Sequence, residues 1–136
     1  MQPDQAEEVR AWLQKAALDL RGGDVDLAAS PPLIEDALFH CQQAAEKAMK
    51  AFLTAHDRPF RKTHDLDELG RACEAVDATL STVLALARDL TVFAWEFRYP
   101  GGEAATPSED EARRTLAIAR EVFQSVLARI PKETHP

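Results

Sequence analysis

Between residues 34 and 52, apolar side chains recur with a regularity that leaves the chain little freedom. Ile34, Leu38, Cys41, Ala45, Ala48 and Phe52 follow one another at steps of 4, 3, 4, 3 and 4. At 3.6 residues per turn these positions form one stripe of a helix, whereas in a strand they would scatter over both faces. Gln42, Gln43, Glu46, Lys47 and Lys50 fill the remaining faces. Ser30 followed by Pro31 and Pro32 supplies an entrance, a capping hydroxyl ahead of a proline where no N–H donor is needed. The helix so predicted ends near His56 and spans about 36 Å.

Such a stripe needs other elements to cover it, and the rest of the chain supplies four. A first helix is predicted over residues 4–21. Ala6, Val9, Leu13, Ala16 and Leu20 share one of its faces, and Asp4, Glu7 and Glu8 complement its dipole. Gly22 and Gly23 are read as its end. A loop over 57–63 carries Arg58, Arg61 and Lys62, and Asp65 with Glu68 forms an acidic capping pair for a third helix running to about Val76.

The fourth helix, predicted over 79–97, differs in kind. Leu80, Val83, Ala87, Leu90, Ala94 and Phe97 form one stripe, and Leu86, Phe93 and Trp95 lie off it. A helix apolar on more than one side is central or shared with another chain. Leu86, Leu90, Phe93 and Trp95 are therefore assigned to an interface, with a homodimer as the expected state. After a turn at Gly101 and Gly102, Ser108 and Glu111 make a capping box, with Thr106 and Glu109 as an alternative one turn earlier. The fifth helix carries Ala112, Leu116, Ala119, Phe123, Val126 and Ile130, spaced 4, 3, 4, 3 and 4. The expected fold is an all-α antiparallel bundle of about five helices in one domain, with a core over 4–130 and a flexible tail over 131–136 after Pro131.

A chain of 136 residues suits one such domain. Its net charge of −7 repels a phosphate backbone, which disfavours broad non-specific nucleic-acid binding but not a local basic patch. Cys41 and Cys73 sit inside apolar patterns and read as two buried thiols. Neither a CxxC pair nor any Cys/His spacing suits a metal, so no metal and no cofactor is expected. The beginning of the chain lacks a basic segment followed by an apolar one, and no apolar run reaches the ~20 residues of a membrane span. A cytoplasmic location is the default expectation.

Short connections favour antiparallel neighbours, so helix ends alternate between two poles. One pole then gathers Arg58, Arg61, Lys62, His64, Asp65, Arg98 and Tyr99. Either this is an anion site, with Arg61, Lys62, His64, Arg98 and Tyr99 as ligands, or it is a solvated loop beside a helix end where cations are favoured anyway.

Three short motifs fall in register across this pattern: FHCQQAAEKAMKAF at 39–52, THDL at 63–66 and RYPG at 98–101. Together they resemble the HEPN domain family, and in particular its RYP-type, nucleotidyltransferase-associated branch, over residues 10–130. The resemblance implies a helical bundle that dimerises and partners a minimal nucleotidyltransferase, often as a toxin–antitoxin pair. Some HEPN proteins are metal-independent ribonucleases that use an Arg followed four to six residues later by a His. There the Arg stabilises phosphate charge while the His transfers a proton. Here Arg98 is followed by YPGGEA and no His, while Arg58 and His64 satisfy the spacing outside the usual location. Phe93 stands where related sequences carry a tyrosine.

Individual residues carry both readings. His64 next to Asp65 is a base–orienter pair or, more simply, an imidazole beside a helix cap. Glu46 and Lys47 face a ligand or partner, or Glu46 forms a solvated i, i+4 pair with Lys50. His40, among apolar neighbours, reads as a satisfied interior histidine. Gly101 and Gly102 follow a helix and make a turn rather than a phosphate cradle. Three functions remain: a non-catalytic partner-binding module, a ribonuclease using Arg98 or Arg58 with His64, and a sensor for a nucleotide or other small anion.

Overall fold

The computed structural model describes residues 1–97, 100–102 and 105–136. The arginine and tyrosine of the RYPG motif, Arg98 and Tyr99, lie outside the described residues. Every α-helical segment of the expected bundle is present: α1 (Pro3–Ala28), α2 (Ile34–Ala55), α3 (Leu66–Val76), α4 (Ser81–Ala87) and α5 (Glu109–Leu127). No strand occurs among the described residues, and none of their helices is long and apolar enough to cross a membrane.

The α2 stripe does what its spacing predicts. Leu38, Cys41, Ala45, Ala48 and Phe52 are fully buried, and α2 packs against α1, α3, α5 and the segment Arg88–Ala94. It is the central element. Cys41 and Cys73 are free and buried, and burial pushes both thiols up to about 12. The α2 helix begins later than expected, with Leu33 rather than Ser30 at its N-cap and no side-chain cap. Its entry is held instead by the Leu33 N–H, which donates to the carbonyl of Asp26. At its other end Asp57 takes a positive φ of 54°. The Asp57 N–H donates to Thr54 O and that of Arg58 to Leu53 O, closing the helix in a Schellman motif.

Three expectations need correction. First, α1 continues through Gly22 and Gly23 to Ala28. A Cβ on Gly22 would lie 2.9 Å from His40 Nε2, and one on Gly23 would lie 3.0 Å from Leu116 Cδ1. These glycines let neighbouring helices close on α1; they do not stop it. Second, the fourth helix is not continuous. A 3₁₀ turn (Ala78–Leu80) leads into α4, and a second 3₁₀ segment (Arg88–Ala94) follows it. The adjacent β-branched Thr91 and Val92 weaken an α-helix there, and Thr91 Oγ1 accepts a hydrogen bond from the Leu66 N–H, which ties the segment to α3. Third, the tail is anchored. Lys132–Thr134 forms a 3₁₀ turn, Thr134 is fully buried, the His135 ring bonds Leu127 O and the Arg10 guanidinium donates to Glu133 O.

The N-cap residues of α3 and α5 are the expected ones, though neither Glu68 nor Glu111 returns a bond to its N-cap N–H. Asp65 accepts from the N–H groups of Asp67 and Glu68, and Ser108 accepts from that of Glu111. Gly101, at φ 90°, occupies the left-handed region that a turn after Pro100 requires.

Candidate functional site

A line of polar side chains runs along α2 from Gln42 through Glu46 to Lys50, one turn apart, beside the apolar stripe. Gln42 is fully buried, and Glu46 and Lys50 are almost so. Groups this polar are tolerated inside a protein only when paired. The pairing is dense. Lys50 Nζ donates to Glu46 Oε2 at 3.0 Å, and Gln42 Nε2 donates to Glu46 Oε1 at 3.2 Å and to the carbonyl of His64 at 3.0 Å. Gln43 donates to Gln42 Oε1. The Lys50 ammonium also faces the rings of Trp12 and Phe60, 5.4 and 5.7 Å from their centroids, and those rings meet edge to face.

His64 completes this network from the loop. Its Nδ1 lies 2.7 Å from Glu46 Oε1, with the ring largely exposed. A buried carboxylate in that position accepts from the Nδ1–H and fixes the orientation of the ring. The neighbours explain why the loop is held so firmly. Thr63 Oγ1 accepts from the Asp65 N–H, Asp65 caps α3 and Leu66 is buried. Each residue of THDL therefore has a structural task. His64 is oriented by Glu46, eighteen positions earlier in the chain, rather than by the adjacent Asp65. Glu46 and Lys50 do pair, but in the interior and not in solvent.

The described residues of the basic pole differ in their partners. Arg61 Nε donates to Glu68 Oε1 at 2.6 Å, and that hydrogen bond raises its already high pKa. Arg58 lines a surface cleft over the end of α2 together with Asp4, Gln5 and Glu8. Its backbone is fixed at Leu53, seven residues or about 10 Å along α2 from the Glu46 that holds His64. Among the described residues no hydrogen bond or ion pair joins Arg58 to His64. Lys62 is exposed. Lys47 is taken by Asp19, which also bonds His40 Nδ1 at 2.9 Å, so His40 is a partly exposed member of a polar cluster and not an interior histidine.

On another side of the molecule the residues assigned to an interface separate into two groups. Leu90 is only 3% exposed and belongs to the core of its own chain, with Leu80, Val83 and Ala87 of the stripe on which its spacing placed it. Leu86 and Trp95 remain 49% and 52% exposed. Phe93 and Phe97, half-buried, stack with centroids 6.1 Å apart and, with Glu35, Asp36 and Phe39, line a cleft of about 360 Å³.

Gln42, Trp12 and Phe60 were not singled out from the sequence, and Glu46 with Lys50 was weighed only as a ligand-facing group or a solvated pair. The signal was the four-residue spacing of Gln42, Glu46 and Lys50, a polar line running beside an apolar one.

Neither the curated proteins nor the solved structures include a match to this chain. A family model does match: the HEPN domain, over residues 9–130. That range takes in α2 with its buried polar line, the THDL loop and α5, and on this match the chain belongs to the HEPN domain family.

Proposed function

We propose that this protein is a non-catalytic HEPN module that homodimerises and partners a minimal nucleotidyltransferase, as in toxin–antitoxin pairs of its family. The observation that carries this reading is the apolar surface left around the 3₁₀ segment. Leu86 and Trp95 are half exposed, and the Phe93–Phe97 stack borders an adjoining cleft. Apolar side chains grouped in this way mark association surfaces. Trp and Phe are also the residues that anchor such contacts. Chain-length light scattering after size exclusion should give a dimer, and Leu86→Glu with Trp95→Glu should give a folded monomer. A clean monomer, both alone and mixed with a nucleotidyltransferase, overturns the reading.

One observation favours a second reading, a ribonuclease. The Glu46 carboxylate holds His64 with one ring nitrogen exposed, which suits proton transfer. RNA cleavage that survives purification and is lost in both His64→Ala and Arg98→Ala would support it. Unchanged cleavage in both variants would remove these residues from any such activity.

A further inference from the structure

At the corner between α1 and α2, acidic groups outnumber the cations that face them. Asp36 and His40 stand one turn apart on α2, and Asp26 reaches them from α1. His40 Nε2 lies 3.4 Å from Asp36 Oδ2 and 3.9 Å from Asp26 Oδ2. The Asp26 side chain is 9% exposed, and its Oδ2, sealed from solvent, faces only the Asp36 carboxyl and the His40 ring among the described residues. A buried carboxyl that faces a second carboxyl is costly to ionise, and the two converge with the imidazole on one point.

We propose that Asp26, Asp36 and His40 form a binding site for a divalent transition-metal cation. Ligands at about 2.1 Å around a tetrahedral ion are separated by about 3.4 Å; Nε2 stands 3.4 and 3.9 Å from the two carboxylates, and the three ligand atoms all lie within 4.8 Å of one another. The imidazole is already set for the task. Asp19 bonds Nδ1 at 2.9 Å and is itself held by Lys47, which orients the ring with Nε2 facing Asp26 and Asp36. A carboxylate behind a ligating histidine is the usual outer-shell partner at such sites. Gly22 belongs to the same arrangement, since a Cβ there would press on the ligating Nε2 at 2.9 Å. One imidazole with two carboxylates suits Zn²⁺, Co²⁺ or Mn²⁺ better than Mg²⁺. Three protein ligands leave a position open on the side of Asp36, whose side chain is 58% exposed. The site escapes a search for Cys/His spacing because its ligands come from two helices and two of them are aspartates.

The test uses the full chain, stripped with chelator and desalted, with Zn²⁺ and Mn²⁺ as probes in calorimetry and thermal melts. The expected result is one ion per chain and a melting temperature raised by about 5–10 °C at a hundredfold excess over Kd. Asp26→Asn, Asp36→Asn and His40→Gln should each weaken binding at least tenfold. Asp19→Asn, a positioning change, should weaken it by about 10–100-fold with the stoichiometry unchanged. His64→Gln should leave it unaltered. Should His40→Gln fail to fold, Asp36→Asn, on an exposed side chain, still decides the matter. Absence of heat and of any thermal shift with both ions overturns the proposal, as does binding that the Asp26 and Asp36 variants leave intact.

Discussion

Two polar clusters lie along α2, about 100° apart around its axis, and they balance charge in opposite ways. Around Glu46 one carboxylate meets one ammonium, with Gln42 and His64 filling its remaining lone pairs. Around His40 three carboxylates, from Asp19, Asp26 and Asp36, meet a single lysine and an imidazole. The first cluster is buried except at the His64 ring, and its interior members Gln42, Glu46 and Lys50 are all paired, as buried polar networks must be to persist. The second is open on one side and carries surplus negative charge. Completeness marks a group whose work is internal, here the seating of the THDL loop against α2. Incompleteness at a buried atom marks a place where something else is accommodated.

The largest effect that tests this contrast comes from unbalancing the closed cluster. Glu46→Gln strands the Lys50 charge in the interior and should cost about 3–5 kcal/mol, read by urea unfolding. The double variant Glu46→Gln with Lys50→Met removes both charges and should recover most of that loss. A cost below about 1 kcal/mol for the single change would mean that the pair behaves as a surface pair, and the contrast would fail.

A smaller effect tests how tightly the open cluster is built. Alanine normally stabilises a helix by about 1 kcal/mol relative to glycine. At Gly70 in α3 the nearest atom to a new Cβ is Leu84 Cβ at an ordinary 3.7 Å, so Gly70→Ala should gain stability. At Gly22 the same change meets three ring atoms of His40 at 2.9–3.0 Å, and the ring is held by Asp19. Gly22→Ala should therefore lose about 1–2 kcal/mol despite its propensity, and it should shift the His40 imidazole resonances. A gain at both positions would show that the ring moves aside freely.

These residues also show what a sequence discloses. The α2 and α5 stripes were legible because a 4, 3, 4, 3, 4 spacing admits one reading, and the caps at Asp65 and Ser108 because their chemistry is local. Gly22 and Gly23 misled because propensity treats glycine as a break, while here the neighbouring helix needs the missing Cβ. Leu90 misled because it was assigned to the interface although its spacing set it on the stripe with Val83 and Ala87, which the chain buries itself. His64 was legible as a polar residue of interest, but its partner was not. Glu46 lies on another element, and only the loop's path brings the two together.

The smallest effect is a reversal of sign, and it separates the two clusters most sharply. Burial, and then the neighbouring Asp36 carboxyl, push the Asp26 carboxyl up from 3.8 to about 6, while His40 acts against them. Asp19 on α1 and Asp36, His40 and Lys47 on α2 are the other titratable groups of the cluster. A raised carboxyl pKa means that the folded chain retains a proton the unfolded chain has released. Stability attributable to Asp26 is therefore full below 3.8, falls as pH rises toward about 6 and stays low above it. Asparagine cannot ionise and fits the same space. In chelator, Asp26→Asn should match the parent below pH 3.8 and exceed it by on the order of 1 kcal/mol above about pH 6. The parallel change Glu46→Gln should destabilise throughout the neutral range. Removing a carboxylate thus strengthens one cluster and breaks the other. Equal losses in both variants at pH 7 would show that the Asp26 oxygen is satisfied after all, and the surplus charge at the α1–α2 corner would no longer call for a cation.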